Sequence, residues 1–460
     1  METEDYSVKT TPKGRRTLNW LGCAALAICV ALILGLIAGV AVASMMGLLP
    51  WPGQPEATPT PLPIVTLEAT ASPQEPTASP QSSPTVLSET QVPSSDTPVA
   101  PAAASPTPAS PGTGFDYGIQ VHLFHLDAGY TCQLVNNMQF RWIKHQIEWK
   151  EFEPSKGQYL WESIDGIVDA ADQAGLNTLL SVVKAPDWAR GGYTEEDGPP
   201  ADYDDYGDFV GAMAARYCGR VQAYEIWNEQ NLKREWNTGR PLSATEYVEL
   251  LSVAYNRIKA ACPSAIVVSG GPTPVGYTSD TAIDDFDYLR QMYQAGVSDY
   301  CDAVGVHPSG FNNPPDWRYP PAYSEPGMTS PGHTKNRQFY FLNTIEGYHD
   351  IMVSFGDGNR KLWATEFGWA SIKNLTDKPN EAYEYAADNT ELEQAEYLVR
   401  ALQIAREKGY MGVMFVWNLN FAPARGAGDE RAAFGILRED WSERLAYQTL
   451  AAARAMGDLP

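Results

Sequence analysis

Ala223-Tyr224-Glu225-Ile226-Trp227-Asn228-Glu229 is an apolar run of strand length that ends on polar and acidic residues. Runs of the same kind recur at Tyr117–Leu123, Phe140–Ile147, Thr178–Val183, Ala265–Ser269, Ala303–His307, Leu362–Thr365 and Gly412–Trp417. Between them the apolar residues fall every third or fourth position, which predicts helices over Trp161–Ala174, Asp205–Tyr217, Ala244–Ala261 and Glu391–Lys408. Strands that are apolar on both faces and alternate with helices belong to a parallel sheet wrapped by helices. Eight is the number that closes such a sheet on itself. The fold class expected is therefore α/β, a single (β/α)8 TIM barrel. A doubly wound open sheet is the rival, but no G-x-G-x-x-G follows the first strand. The long Pro-, Asn- and Tyr-rich connection from Pro308 to Gln338 is expected on the functional face.

The barrel pattern occupies 115–460, and the residues before it differ in composition. Leu21 to Ala43 is 23 residues of almost continuous apolar sequence, against roughly 20 needed to cross a bilayer as a helix. Lys9, Lys13, Arg15 and Arg16 precede it, and no further Lys or Arg occurs before Arg141. The positive-inside bias then predicts a cytoplasmic tail over 1–18, a transmembrane signal anchor over 19–49, and everything later outside the cell. Cleavage at Ala43-Ser44, which would release the protein, is the alternative. Residues 50–114 hold nearly half of the chain's 35 prolines among Ser, Thr and Ala, with five acidic and no basic residues. Such a segment cannot offset its ordering entropy by apolar burial, so a disordered, extended linker is expected.

The whole chain carries 33 basic and 56 acidic residues, a formal charge of −23. That balance argues against nucleic acid as a partner, since a polyanion is repelled at long range. Four cysteines, Cys132, Cys218, Cys262 and Cys301, lie in the barrel segment, where an oxidising compartment would permit disulfides. Cys262 and Cys301 each follow a helical stretch, one repeat apart, and are the first pair to expect; buried free thiols are the alternative.

In barrels of this type chemistry sits where strands end. The fourth strand ends Trp227-Asn228-Glu229-Gln230-Asn231 and the seventh reads Trp363-Ala364-Thr365-Glu366-Phe367-Gly368-Trp369. Two carboxylates, each closing an apolar strand, suit glycosidic bond cleavage. One must hold a proton for the departing oxygen and the other must stay ionised, to attack carbon or to activate water. Consecutive residues on a regular strand face opposite ways, so Asn228 and Glu229 reach one site only if the strand breaks its geometry at 227–230. His122 and His125 are expected as hydrogen-bonded cleft or core histidines rather than metal ligands. Trp188, Trp236, Trp317 and Trp369 are candidates to stack on sugar rings. Lys144 either shapes the site or pairs with an acidic neighbour.

The Trp-Asn-Glu and Thr-Glu-Phe-Gly-Trp motifs resemble the clan of retaining (β/α)8 glycoside hydrolases that includes families 5 and 39. The resemblance covers essentially Phe115 to Gly457. It implies Glu229 as general acid/base, Glu366 as nucleophile and Asn228 as a ligand of the sugar 2-hydroxyl. It also implies Arg141 as the cation that keeps the nucleophile ionised, His307 as the strand-six histidine and Trp417 as the aromatic floor under the cleaved sugar. The bond between Trp417 and Asn418 is expected to be cis. The sequence departs from the family 5 pattern in three places. His307-Pro308-Ser309 stands where His-x-Tyr is usual, strand three has no histidine, and Gln230 stands where proline is commoner.

The expected activity is hydrolysis of O-glycosidic, β-configured bonds in a poly- or oligosaccharide by double displacement, with no cofactor. No P-loop, nucleophile elbow or zinc spacing is present in the sequence. A monomer tethered through its N-terminal helix is expected. A non-catalytic carbohydrate-binding barrel is the alternative from another functional class.

Overall fold

Eight strands pair in parallel and in chain order, and the eighth closes back onto the first. They are β1 (Asp116–Gln120), β2 (Trp142–Glu148), β3 (Asn177–Val183), β4 (Ala223–Ile226), β5 (Ile266–Ser269), β6 (Ala303–Val306), β7 (Lys361–Phe367) and β8 (Met411–Val416). Among the described residues, eight helices of ten residues or more accompany them: α1 (Ala128–Asn137), α2 (Glu162–Ala174), α3 (Tyr203–Arg216), α4 (Ala244–Ala261), α5 (Asp285–Gln294), α6 (Phe341–Ser354), α7 (Glu391–Lys408) and α8 (Leu445–Met456). The single (β/α)8 barrel read from the strand alternation is the fold observed. This computed structural model describes residues 114–193, 197–320, 335–375 and 381–459. The expected tail, membrane helix and most of the linker lie outside the described residues. Among the described residues no helix is long and apolar enough to cross a membrane.

The helix ends follow from local chemistry. Ser243 accepts from the Glu246 N–H to start α4, and Thr390 with Glu393 forms a reciprocal capping box on α7. Gly175 ends α2 in the left-handed region at φ 68°, a conformation that glycine adopts without steric cost.

Strand parity divides the interior into layers. Tyr117, Ile119, Ile143, Leu180, Val182, Tyr224 and Ile226 face outward into the main core beneath the helices. Inside the barrel, Trp142, Leu179, Ala223, Val268, Ala303, Trp363, Val413 and Phe415 form an apolar plug. The Trp142 and Trp363 rings meet edge to face, their centroids 5.5 Å apart. Two residues further along the same strands, the inward positions become polar: Gln120, Lys144, Ser181, Glu225 and Thr365, all buried. That change of layer marks the functional end.

The structure departs from the sequence reading at one cysteine pair and one arginine. The disulfide joins Cys218 to Cys262, while Cys301 is a buried free thiol. Cys218 lies just past α3 and Cys262 caps α4. These are neighbouring helices of the ring, so one repeat apart was the right spacing, applied to the wrong repeat. Arg141 precedes β2 at the opposite end of the barrel from the polar layer. Its exposed guanidinium pairs with Asp116 at 2.9 Å.

Candidate active site

β4 ends at Ile226, and the next residues leave regular strand geometry, with φ of +71° at Trp227 and +45° at Glu229. The break expected at 227–230 is present. It places both Asn228 and Glu229 on the lining of one cleft. β7 departs from simple pairing twice, between Leu362 and Ala364 and between Ala364 and Phe367. This irregularity lets Glu366 line the same cleft while Phe367 stays in the outer core. One carboxylate oxygen of Glu229 and one of Glu366 lie within 4.8 Å of each other.

His307, just past β6, bridges the two acids. Its Nδ1 lies 3.2 Å from Glu229 Oε1 and 3.9 Å from Glu366 Oε2, and its Nε2 lies 3.1 Å from Thr365 Oγ1. Gly271 makes room for it, because a Cβ there would stand 2.6 Å from the imidazole. Burial alone would push the imidazole down, but Glu366 and Glu229 outweigh it and raise its pKa. Glu229 answers in the opposite sense. Burial pushes its carboxyl up, yet His307 by hydrogen bond and charge, then Arg234 and Thr273, bring it down to about 2. The wall beside this carboxyl is therefore cationic rather than apolar. The two opposite shifts favour the proton on His307 rather than on Glu229.

The cation beside the other acid is Lys144, not Arg141. Lys144 is the inward residue one layer above Trp142. Its Nζ, fully buried, contacts Glu366 Oε1 at 3.0 Å and Glu225 Oε2 at 2.9 Å. Burial lowers an ammonium pKa, but here Glu225 and Glu366 outweigh it and raise it.

Trp417 lines the cleft, and its peptide bond to Asn418 is cis, as expected. His122 and His125 also line the cleft. Trp369 and Trp188 do not. Trp369 shares the outward parity of Phe367, packs on Phe341 and Tyr397, and donates its Nε1 hydrogen to the Asn313 carbonyl. Trp188 packs edge to face on Trp149 and donates to the Glu153 carbonyl. Both are structural.

Other cleft residues carried no motif. Gln120 lines it with both ends of its buried amide unpaired by protein, and so does the Asn228 Oδ1. Arg234 contacts Glu229 Oε2 at 3.1 Å. The Glu235 carboxyl is pushed up to about 7 by burial and by Glu229. Parity from Trp142 and Ala223 could have found Lys144 and Glu225; nothing in the sequence marked Gln120. Glu229, His307 and Glu366 each present one ligand-type atom within 4.8 Å of the other two, a spacing a divalent cation could bridge. The set is already compensated from within by the Lys144 ammonium and the charged imidazole, which suits acid–base chemistry better than metal binding.

The model of the cellulase family, glycosyl hydrolase family 5, matches residues 112–420. The chain belongs to glycosyl hydrolase family 5. In this family 5 member the match runs from just before β1 to just past β8, so it takes in both acids. Among solved structures it is similar to a family 39 glycoside hydrolase from Bacteroides cellulosilyticus WH2, with a TM-score of 0.54 and 21% identity over 74% of this chain and 63% of that one. It is also similar to a glucosidase from Croceicoccus marinus, with a TM-score of 0.51 and 13% identity over 74% and 67%. The chain thus spans slightly less than two thirds of the family 39 protein. At these identities the likeness is one of fold.

Proposed function

We propose that this family 5 member is a retaining glycosidase acting on β-linked poly- or oligosaccharides. The approach of Glu366 and Glu229 across one cleft carries the reading. Retaining enzymes hold the two carboxyl groups about 5–5.5 Å apart, whereas inverting ones need about 6.5–9.5 Å to admit water. An oxygen pair within 4.8 Å fits the first arrangement. Glu366, held beside a buried ammonium, is the nucleophile that attacks the anomeric carbon. Glu229 delivers a proton to the leaving oxygen and later takes one from water. The 3.2 Å contact with His307 Nδ1 supplies that proton from the imidazole at the moment it is needed. Trp417 offers an apolar face to the sugar, and Gln120 offers an unpaired amide and Asn228 an unpaired carbonyl oxygen to its hydroxyls. A cavity of about 1290 Å³ exceeds the usual small-molecule pocket and supports an oligomeric substrate.

We place the barrel outside the cell on the 50–114 stalk, behind the 19–49 anchor. The Cys218–Cys262 disulfide supports an oxidising compartment.

Wild type is expected to release reducing ends from a soluble β-glucan and aryl product from aryl β-glycosides, with the first-formed sugar keeping its anomeric configuration by NMR. Glu366→Ala is expected to lose kcat on the order of 10⁴-fold or more. Sugar binding without hydrolysis by wild type would instead favour a carbohydrate-binding barrel.

A further inference from the structure

Glu225 lies beneath the cleft and does not line it, yet it is joined to everything above. Its side chain is fully buried. One oxygen contacts Lys144 Nζ at 2.9 Å, and Lys144 in turn contacts Glu366 at 3.0 Å. The Thr365 hydroxyl helps to lower the Glu225 pKa on one side and lies 3.1 Å from His307 Nε2 on the other. The Gly271 N–H points to the remaining oxygen at 3.4 Å. Two chains of contact therefore leave one carboxylate. One runs through Lys144 to Glu366, the other through Thr365 and His307 to Glu229.

The fold alone does not call for this carboxylate. One layer below, the same strands fill the barrel with Trp142, Leu179, Ala223 and Trp363 and no charge at all. A buried ion pair is a poor source of stability compared with such packing. Its value lies in geometry. The Lys144 ammonium, on a flexible stem, would otherwise have Glu366 as its one buried carboxylate partner and would collapse onto it. A second carboxylate on the far side holds the ammonium between two anions.

We propose that Glu225 is a positioning residue for both catalytic carboxylates, fixing Lys144 against Glu366 and, through Thr365, His307 against Glu229. This deepens the glycosidase reading and rests on it. The charged groups facing Glu225 are Lys144 from β2 and His307 from the end of β6, with Glu366 from β7 beyond Lys144. Burial would raise its pKa, but Lys144, His307 and Thr365 lower it, so it stays ionised and in place.

The experiment compares wild type, Glu225→Gln, Lys144→Met and the double variant, each as the full chain. Steady-state kinetics use an aryl β-glycoside. The His307 imidazole is titrated by NMR in the same proteins without substrate. Glu225→Gln is expected to lower kcat about 10- to 100-fold with KM within about twofold, the signature of misplaced groups. The double variant is expected to be no slower than Lys144→Met, because one contact serves both residues. The His307 midpoint is expected to fall in Glu225→Gln, since a facing negative charge is removed. The double variant, which leaves no unmatched buried charge in this pair, covers a failure of either single variant to fold. Additive kcat losses, or an unmoved His307 midpoint, would overturn the proposal. If wild type hydrolyses no glycoside, the glycosidase reading falls, while the imidazole midpoint still decides whether Glu225 governs His307.

Discussion

The two halves of the barrel interior are built from the same eight strands and solve opposite problems. The lower layer packs Trp142, Trp363 and Phe415 edge to face with aliphatic neighbours and stabilises the fold by burial. The upper layer, two residues on, buries Lys144, Glu225, Thr365 and Gln120 and ends in Glu229, His307 and Glu366. Removing water from these groups costs free energy that their mutual contacts offset only in one arrangement. The contrast teaches where stability and chemistry reside: a change below should cost folding and spare catalysis, and a change above should do the reverse.

The largest effect expected is at the lower layer. Trp142→Ala removes a fully buried indole, its edge-to-face contact with Trp363 and its Nε1 bond to Asp116 at 3.1 Å. Unfolding free energy should fall by about 3–5 kcal/mol, measured by urea denaturation. The kcat of the fraction that remains folded should stay within about twofold of wild type, since the indole lies a full layer below the acids. A collapse of kcat in folded protein would mean that the two layers are not separable.

The upper layer is probed by pH. Glu366 and Glu229 raise the His307 imidazole against the effect of burial, so its proton is held at low pH and lost as pH rises through a value above the ordinary one near 6.5. If that proton feeds Glu229, the basic limb of kcat/KM reports the pair. His307→Gln removes the group and leaves the limb to Glu229 alone. The limb should then move to lower pH by about one unit or more, together with a lower maximum. A limb that stays where it was would assign the proton to another group, and Glu235, pushed up to about 7, would be the first to test.

The same contrast explains what could be read in the amino-acid chain. Apolar strand runs and three-to-four spacing carry their own period, so the barrel and helices such as Ala244–Ala261 and Glu391–Lys408 were legible to their ends. Glu229 and Glu366 were legible as carboxylates closing apolar strands. Arg141 misled because it is a cation on the second strand's approach. Only inward parity separates it from Lys144, three positions on and one layer above Trp142. Trp369 misled because the β7 irregularity sends Glu366 to the cleft and keeps Trp369 in the outer core. Proximity in sequence to a cleft carboxylate says nothing of facing. Parity could place Glu225 inside the barrel but not mark it as functional, since a buried carboxylate acquires meaning from partners 81 and 140 positions away only once the barrel closes.

Gln120 gives the smallest and sharpest test of the division. It sits at the upper layer, buried, with neither the oxygen nor the nitrogen of its amide bonded to another protein group. For folding this is a cost, because a desolvated amide without partners loses its hydrogen bonds to water. For a sugar hydroxyl entering the cleft it is a ready donor and acceptor. Gln120→Leu should therefore leave unfolding free energy unchanged or raise it by about 1 kcal/mol, while KM rises about five- to tenfold, the equivalent of one neutral hydrogen bond. Denaturation midpoints and KM on one aryl glycoside measure both in the same preparation. A loss of stability with unchanged KM would move Gln120 into the structural half of the barrel and shrink the sugar-binding surface to Asn228, Trp417 and the acids themselves.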